Sequence, residues 1–439
     1  MTNNEAVRGK TLAIVVGGGP APGINGVIRA VTIEARNQGL KVVGIFDGFQ
    51  WLAKGDPTRS VELQSSDVSR IHILGGSILR TSRENPTTSD EKMQNVLRAL
   101  TQLEVDYLVT IGGDDTAFTA SRIDTMAGEQ IQVAHVPKTI DNDLQLIGDM
   151  PTFGYETARH IGAEVVGTMM EDARTTSRWF IVVSMGRKAG HLALGIGKSA
   201  GATLTIIGEE FRGQTISFLT ICDILEGSIV KRMAMGRNYG VAVIAEGIAD
   251  RIDKQELMEK AELDYDSHGN LRFSEIDLGK ILKTEIQRRL KERGISPTIV
   301  AKNIGYEMRC APPIPFDREY TQDLGHVAVR YLTGGGTGSI VCIKRGKIIP
   351  IPFIDVCDRE TGRMIVRQVD VDSDSYKVAR EYMIRLEATD FAEVKTTSRL
   401  AYTAKLSREE FERRFKYLIN DPPVRQQEQE HAHAEEHHG

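Results

Sequence analysis

The 439-residue chain is poor in cysteine: Cys222, Cys310, Cys342 and Cys357 are the four it has. They are widely spaced and none stands in a CxxC pair, so neither a cysteine zinc site nor a disulfide scaffold is suggested. Reduced cytoplasmic thiols are the expectation. No run of about 20 apolar residues occurs, so no membrane-spanning helix is expected. The stretch from Met1 to Lys10 is polar and lacks an apolar signal core. A basic surplus is missing too. Lys+Arg is 55 against Asp+Glu 60, a formal charge of -5, which removes the footprint that nucleic acid requires. A local basic pocket for a small phosphate remains compatible with that balance.

What is present is globular. Apolar residues are 41% and charged residues 26%, which excludes disorder across the whole chain. The length allows two or three domains. Glycine, at 42 residues, is in excess, and points to tight turns or close backbone approaches to a ligand.

Hydrophobic periodicity predicts an α/β organisation. Thr11–Val16 reads as a strand, followed by the Gly17–Gly23 loop, a helix over Ile24–Asn37 and a strand over Lys41–Phe46. The unit recurs with a helix from Met93 to Leu103, a strand over Tyr107–Ile111 and the loop Gly112-Gly113-Asp114. Gln132–Val136 is a further strand, ending in Pro137-Lys138. A second α/β stretch has strands over Trp179–Val183, Ala202–Ile207 and Tyr239–Ile244 and a helix over Leu278–Arg293. Near the C-terminus come a helix around Asp323–Leu332, a hairpin over Ser339–Ile343 and Lys347–Pro350, and charged helices from Asp374 to Leu418. Continuous apolar strands alternating with helices indicate parallel sheets covered on both faces. The tail Gln426–Gly439, with His431, His433, His437 and His438, reads as flexible and receives no catalytic role.

Four clusters lie where strands end, the place where open α/β sheets bind ligands. Gly17–Gly26 has the glycines that let backbone N–H groups approach an anion at a helix start, or it is a structural turn. It does not match a P-loop. Gly112-Gly113-Asp114-Asp115-Thr116 sets two carboxylates side by side, suited to Mg²⁺ or to a helix N-cap. Pro137-Lys138-Thr139-Ile140-Asp141-Asn142-Asp143 puts two carboxylates two residues apart, so an extended segment would point both to one side. One could bind metal while the other accepts the proton of an attacking hydroxyl, the division of labour of phosphoryl transfer. Lys138 adds a cation there. Ser184-Met185-Gly186-Arg187 offers a phosphate-binding Arg, or a solvated charge.

These residues resemble a known family, the 6-phosphofructokinases, over roughly Thr11–Val356. Gly-Gly-Pro-Ala-Pro-Gly-Ile-Asn (18–25), Gly-Gly-Asp-Asp (112–115), Pro-Lys-Thr-Ile-Asp-Asn-Asp (137–143), Met-Gly-Arg (185–187), Ala-Glu-Gly (245–247) and Gly-Tyr-Glu-Met-Arg (305–309) occur in the family's order. The resemblance implies two Rossmann-like three-layer α/β/α domains. Residues 10–150 plus about 312–365 would form a phosphoryl-donor domain. Residues 151–311 plus about 366–420 would form a sugar-phosphate domain, with 1–9 and 421–439 as tails. ATP-using members carry Gly at the positions of Asp115 and Lys138. An acid and a lysine there occupy the room of a nucleotide α-phosphate and ribose, so the chain resembles the pyrophosphate-dependent branch. Like-charge contact in a partly dry site discriminates strongly.

The implied roles follow residue by residue. Asp141 is the base for the sugar 1-hydroxyl, with Asp143, Lys138 and Arg187 in the catalytic set, and Asp114 holds Mg²⁺ with help from Asp143. Gly19, Arg83, Asp115, Thr116 and Lys138 surround pyrophosphate. Thr139, Met185, Gly186, Arg187, Glu246, Lys302, Tyr306 and Arg309 are implied at fructose 6-phosphate. Family members of the ATP type carry His at Tyr306 and Arg at Val300, for which Lys302 is the substitute. Arg178 matches a position that reaches a neighbouring subunit's sugar-phosphate site, implying a homodimer or homotetramer in the cytoplasm. With no nucleotide donor, the reaction is expected to run near equilibrium. The rivals are an ATP-dependent 6-phosphofructokinase, an NAD(P)-binding oxidoreductase resting on the first glycine loop, and an idle sugar-phosphate sensor. Effector-regulated relatives bind a nucleotide through two Arg one helical turn apart. Here Arg29 is present but the second position is Ile33. Titrating ADP into a steady-state assay is therefore expected to leave the sugar-phosphate affinity unchanged, and a clear shift would refute this.

Overall fold

A computed structural model describes residues 7–146, 148, 150–211, 215–260, 277–358 and 363–419. The His-rich tail and the first six residues lie outside the described residues. The chain divides into two compact units: residues 1–161 with 305–367, and residues 162–304 with 368–439. Tyr306 and Arg309 thus belong to unit 1.

Eleven strands occur among the described residues. They are β1 (Thr11–Val16), β2 (Lys41–Ile45), β3 (Ser60–Glu62), β4 (Val105–Gly112), β5 (Gln132–Pro137), β6 (Arg178–Ser184), β7 (Leu204–Ile206), β8 (Gly240–Ala245), β9 (Thr298–Ile304), β10 (Ser339–Lys344) and β11 (Lys347–Pro352). Unit 1 holds a seven-stranded sheet in the order β11-β10-β5-β4-β1-β2-β3. Its five central strands are parallel, and β3 and β11 close the edges antiparallel. Unit 2 holds a four-stranded parallel sheet, β7-β8-β6-β9.

Strand β1 shows why these segments read as unbroken apolar runs. Leu12, Ile14 and Val16 enter one core, with Ile24, Val27, Ile28, Val31 and Ala35 of helix α1 (Ile24–Asn37). Ala13 and Val15 enter the core on the other face. That second core is built with Met93, Val96, Ala99 and Leu100 of α2 (Asp90–Gln102) and with Ala117, Ala120 and Ile123 of α3 (Asp114–Ala127). Both faces are buried, so the period-2 alternation of a half-exposed strand is absent. Helix α4 (Tyr155–Thr176) carries the chain from unit 1 into unit 2.

In unit 2, Trp179, Ile181 and Val183 of β6 form the core with α5 (Phe218–Ala234) and α6 (Leu278–Glu292). The charged C-terminal stretch folds as four helices, over Asp374–Glu381, Ala388–Ala392, Val394–Ala404 and Arg408–Phe415. They cover Val230 with Leu386, Leu400, Phe411 and Phe415. Their attachment is also ionic, with Arg414 reaching the fully buried Glu226 at 2.7 Å and Tyr417 donating to Asp223 at 2.7 Å.

Two expectations need correction. The helix anticipated near Asp323 starts at Pro315 and runs to Thr333. Proline at a helix's first position costs no hydrogen bond, so it marks the start and not a break. The strand anticipated over Ala202–Ile207 is confined to Leu204–Ile206. Among the described residues no helix is long and apolar enough to cross a membrane.

Candidate active site

Unit 1 places three of the four clusters by sheet register alone. The chain leaves β1 for β2 on one side and returns through β4 on the other. The boundary between β1 and β4 is therefore the topological switch point where such sheets bind ligands. Val16 pairs with Ile111, and Gly112 pairs with Pro137. Gly17, Gly113 and Lys138 consequently leave three adjacent strand ends. Lys138 N–H donates to the Gly112 carbonyl at 2.8 Å, and Gly17 N–H to the Ile111 carbonyl at 2.9 Å. Thr116 is buried at their junction, where a Cβ on either Gly17 or Gly112 would collide with its hydroxyl.

The glycine loop is held open by its neighbours. Gly18 N–H donates to Ser82 at 2.8 Å, and Thr81 Oγ1 donates to the Gly18 carbonyl at 2.7 Å. Arg83, the next residue, therefore stands beside the loop. Gly18 has φ 80, left-handed and costly for a residue with a side chain. A Cβ there would also sit 3.5 Å from Lys138 Nζ. A side chain at Gly19 would strike the Arg309 guanidinium.

Lys138 occupies the middle. It is 4% exposed, and its Nζ donates to the Gly19 carbonyl. Burial pushes its ammonium from 10.5 down to about 8, and the neighbouring Arg309 pushes the same way. Asp141, Asp143 and Asp114 lie within electrostatic reach and oppose that shift. The dominant cause is desolvation of the charged form. An ammonium has three donors, so the carbonyl of Gly19 does not exhaust it.

Asp114 and Asp115 occupy the first turn of α3, whose N-cap is Gly113. Neither aspartate is the cap residue. Their charge suits the helix N-terminus, Asp114 being half-buried and Asp115 exposed. A buried histidine supports this corner. Burial pushes His135 down to about 3, so its ring is neutral. Its Nε2 lies 3.0 Å from the Gly112 carbonyl, which only accepts, and its Nδ1 lies 2.8 Å from Thr110 Oγ1. Nε2–H is therefore the donor, and it fixes the carbonyl that also receives Lys138.

The Asp141–Asp143 segment is not extended as its spacing suggested. Asn142 has φ 57, in the left-handed region, which Asn tolerates better than most residues. Strand alternation therefore does not set how the two carboxylates are presented. Thr139 Oγ1 accepts the Asp141 N–H at 3.0 Å, and Thr152 Oγ1 donates to the Thr139 carbonyl at 2.7 Å. Arg309 is buried with its guanidinium 5.4 Å from the Tyr306 ring, and Tyr306 is 79% exposed.

Among the described residues, no three His, Cys, Asp or Glu side chains converge to cage an ion. Mg²⁺ needs less, since one or two carboxylates suffice when phosphate oxygens complete its shell. Asp114 and Asp143, both close to Lys138, fit that donor set.

Unit 2 gathers the other candidates by the same register logic. Ser184 pairs with Ala245 on β8 and with Ile304 on β9, so Met185 and Glu246 leave neighbouring strand ends. Gly186 has φ 130. Gly247 packs against the Arg187 carbonyl, leaving no room for a side chain. Arg187 Nε lies 3.4 Å from Asp250 in an exposed pair. Lys302 is exposed on β9, opposite Val182. Arg178 is the exception: it opens β6, at the N-terminal end of that interior strand, about 20 Å from its C-terminal end, with its Nε 4.0 Å from Asp172. Sequence reasoning missed Glu209, which is 3% exposed and accepts N–H groups from Gly190 at 2.8 Å and Val369 at 3.0 Å. No local pattern marks it, because its partners are distant in sequence.

Comparison with known proteins gives the family. The family model described as Phosphofructokinase matches residues 11–332. The chain is 51% identical over 418 residues to the pyrophosphate–fructose 6-phosphate 1-phosphotransferase of Naegleria fowleri, covering 93% of this chain and 96% of that protein. It is 53% identical over 416 residues to the protein of the same name from Thermotoga maritima, covering 94% and 99%. The crystal structure of a pyrophosphate-dependent phosphofructokinase from Marinobacter aquaeolei matches with a TM-score of 0.65 at 18% identity, over 85% of this chain and 90% of that one. That last likeness is one of fold.

The buried lysine makes stability depend on pH. Its folded pKa of about 8 lies below the ordinary 10.5, so between those values the unfolded chain holds the extra proton. The native state then carries the full penalty below about pH 8 and loses it as pH rises through that window. Lys138→Met is expected to stabilise the fold at pH 7 by up to about 3 kcal/mol. The gain should shrink between pH 8 and 10.5, read from urea unfolding midpoints; a pH-independent gain would contradict the assignment.

Proposed function

The chain belongs to the phosphofructokinase family, and from that membership we infer that it is a pyrophosphate-using phosphotransferase. It transfers a phosphoryl group from pyrophosphate to the 1-hydroxyl of fructose 6-phosphate, giving fructose 1,6-bisphosphate and phosphate, reversibly, in glycolysis and gluconeogenesis. The observation that carries the donor assignment is Lys138. Its ammonium is buried on the Gly19 carbonyl, beside Gly18. It fills the space against the glycine loop where a nucleoside's α-phosphate would lie, and its charge suits a compact diphosphate. Asp115, exposed in the first turn of α3, adds like-charge repulsion against the longer triphosphate chain.

The roles divide as follows. Gly19, Arg83, Thr116 and Lys138 hold pyrophosphate. Asp141 accepts the proton of the sugar 1-hydroxyl as the new P–O bond forms. Asp143 and Lys138 fix the charge balance around it. A divalent metal goes with the family, and Mg²⁺ is the ion proposed. Held by Asp114 with Asp143, it would neutralise charge on the transferring phosphoryl group. For fructose 6-phosphate the proposed residues are those the family resemblance implies: Arg187, Met185, Gly186, Glu246, Lys302, Thr139, Tyr306 and Arg309. Arg187 is the suited cation, since a guanidinium binds phosphate oxygens in pairs. Arg178, at the N-terminal end of β6, is proposed to serve a neighbouring copy's sugar-phosphate site. The enzyme would then act as a homodimer or homotetramer, in the cytoplasm.

Two tests address the two halves of this reading. Asp141→Ser is expected to lower turnover by about 10²–10⁴-fold, the usual range for a general base, with substrate affinities nearly unchanged; near-full activity would remove Asp141 from the mechanism. The double variant Asp115→Gly, Lys138→Gly should weaken pyrophosphate use and admit ATP. Steady-state assays with both donors read this directly, and unchanged pyrophosphate kinetics would contradict the pocket argument.

A further inference from the structure

The catalytic carboxylates flank a backbone conformation that does not hold itself. Asn142 sits between Asp141 and Asp143 with φ 57, and such a residue persists only where its surroundings over-determine it. The hydrogen bonds that do so come from the distant Arg367 and from Thr152. Arg367 Nε donates to the Asn142 carbonyl at 3.0 Å, and its Nη2 donates to Asn142 Oδ1. Its Nη1 donates to the Met150 carbonyl at 2.7 Å, and its own backbone N–H donates to the Asp143 carbonyl at 2.8 Å. Thr152 N–H completes the set on Asn142 Oδ1 at 3.0 Å. An antiparallel bridge between Leu144 and Val366 aligns the two segments.

We propose that Arg367 is the positioning residue of the phosphoryl-transfer site, holding Asn142 left-handed and thereby setting how Asp141 and Asp143 face the reacting groups. This rests on the function inferred above. The Arg367 guanidinium bonds three points, the side chain and carbonyl of Asn142 and the carbonyl of Met150, while its backbone N–H holds the Asp143 carbonyl. A planar fork of N–H donors is needed for that pattern, and a lysine has no such fork. The residue acts through backbone and Asn142, so its loss should show in turnover and not in substrate binding. A displacement near 1 Å at a reacting group costs on the order of 10²-fold in rate.

The test compares wild type, Arg367→Lys and Arg367→Ala by three readouts: kcat, KM for pyrophosphate and for fructose 6-phosphate, and hydrogen exchange of the peptide spanning residues 138–146. The expected result is a fall in kcat of about 10- to 100-fold in both variants, with both KM values within about threefold. Exchange should quicken in 138–146 while the β1 and β4 peptides stay protected. Millimolar ethylguanidine should restore part of the Arg367→Ala rate and of its protection. A kcat within twofold of wild type, losses confined to KM, or unchanged exchange would overturn the proposal. If wild type itself fails to turn over pyrophosphate with fructose 6-phosphate, the functional reading falls instead. The exchange data then decide by themselves whether Arg367 holds the loop.

Discussion

An ammonium buried against a backbone carbonyl organises the site in unit 1. Lys138 follows β5, and the parallel register sets it beside the ends of β1 and β4. Burial opposes its charge, as the depressed pKa records, and a buried cation survives only when hydrogen-bonded and paired. The Gly19 carbonyl provides the bond, and Asp114, Asp141 and Asp143 provide the compensating field. The same carboxylates are those proposed above for metal binding and proton acceptance. One electrostatic unit thus holds the cation and the three acids together. Arg309, pressed on Gly19, weakens the lysine's hold on its proton and adds positive charge for an incoming polyanion to neutralise.

Around that centre the structure places buried and half-buried polar groups that fix backbone. His135 anchors the Gly112 carbonyl. Asp317, fully buried, accepts N–H groups from Gly154 and Thr157 at 2.8 Å each, and so satisfies the start of α4. Burial pushes the Asp317 carboxyl up, against the bonds from Thr157 and Gly154 that favour its charge. Arg367 fixes the left-handed turn at Asn142. None of these side chains is among those proposed above for bond making. They keep loop segments, which lack the ladders of a strand or helix, in one conformation.

Unit 2 uses a plainer device. Its candidate residues leave parallel strands at paired positions, and Glu209 pins the loop after β6 through Gly190. Its helices are joined by buried charge: Arg289 of α6 reaches Asp223 of α5 at 2.7 Å, braced by Glu285 of its own helix at 2.8 Å, and Arg414 reaches Glu226. Such pairs specify which helix faces which more than they stabilise. This accounts for the high charge of segments that nonetheless pack on a core.

The sequence by itself determined the α/β class, the places where strands give way to loops, and the residue types at those loops. Apolar runs, glycine clusters and paired aspartates are local patterns, and parallel sheets put strand ends together whatever the details. The family motifs, from Gly18 through Arg309, were likewise readable as ordered blocks. Tertiary structure decided what depends on contacts between distant residues. That Asp141 and Asp143 flank a left-handed Asn142, and not an extended segment, follows from bonds to Arg367, 225 positions away. That Arg309 lies against Gly19, and that Lys138 is buried with a weakened proton affinity, follows from packing around the switch point. Backbone conformation and desolvation are set by whatever folds over a residue, and one-dimensional spacing does not record that.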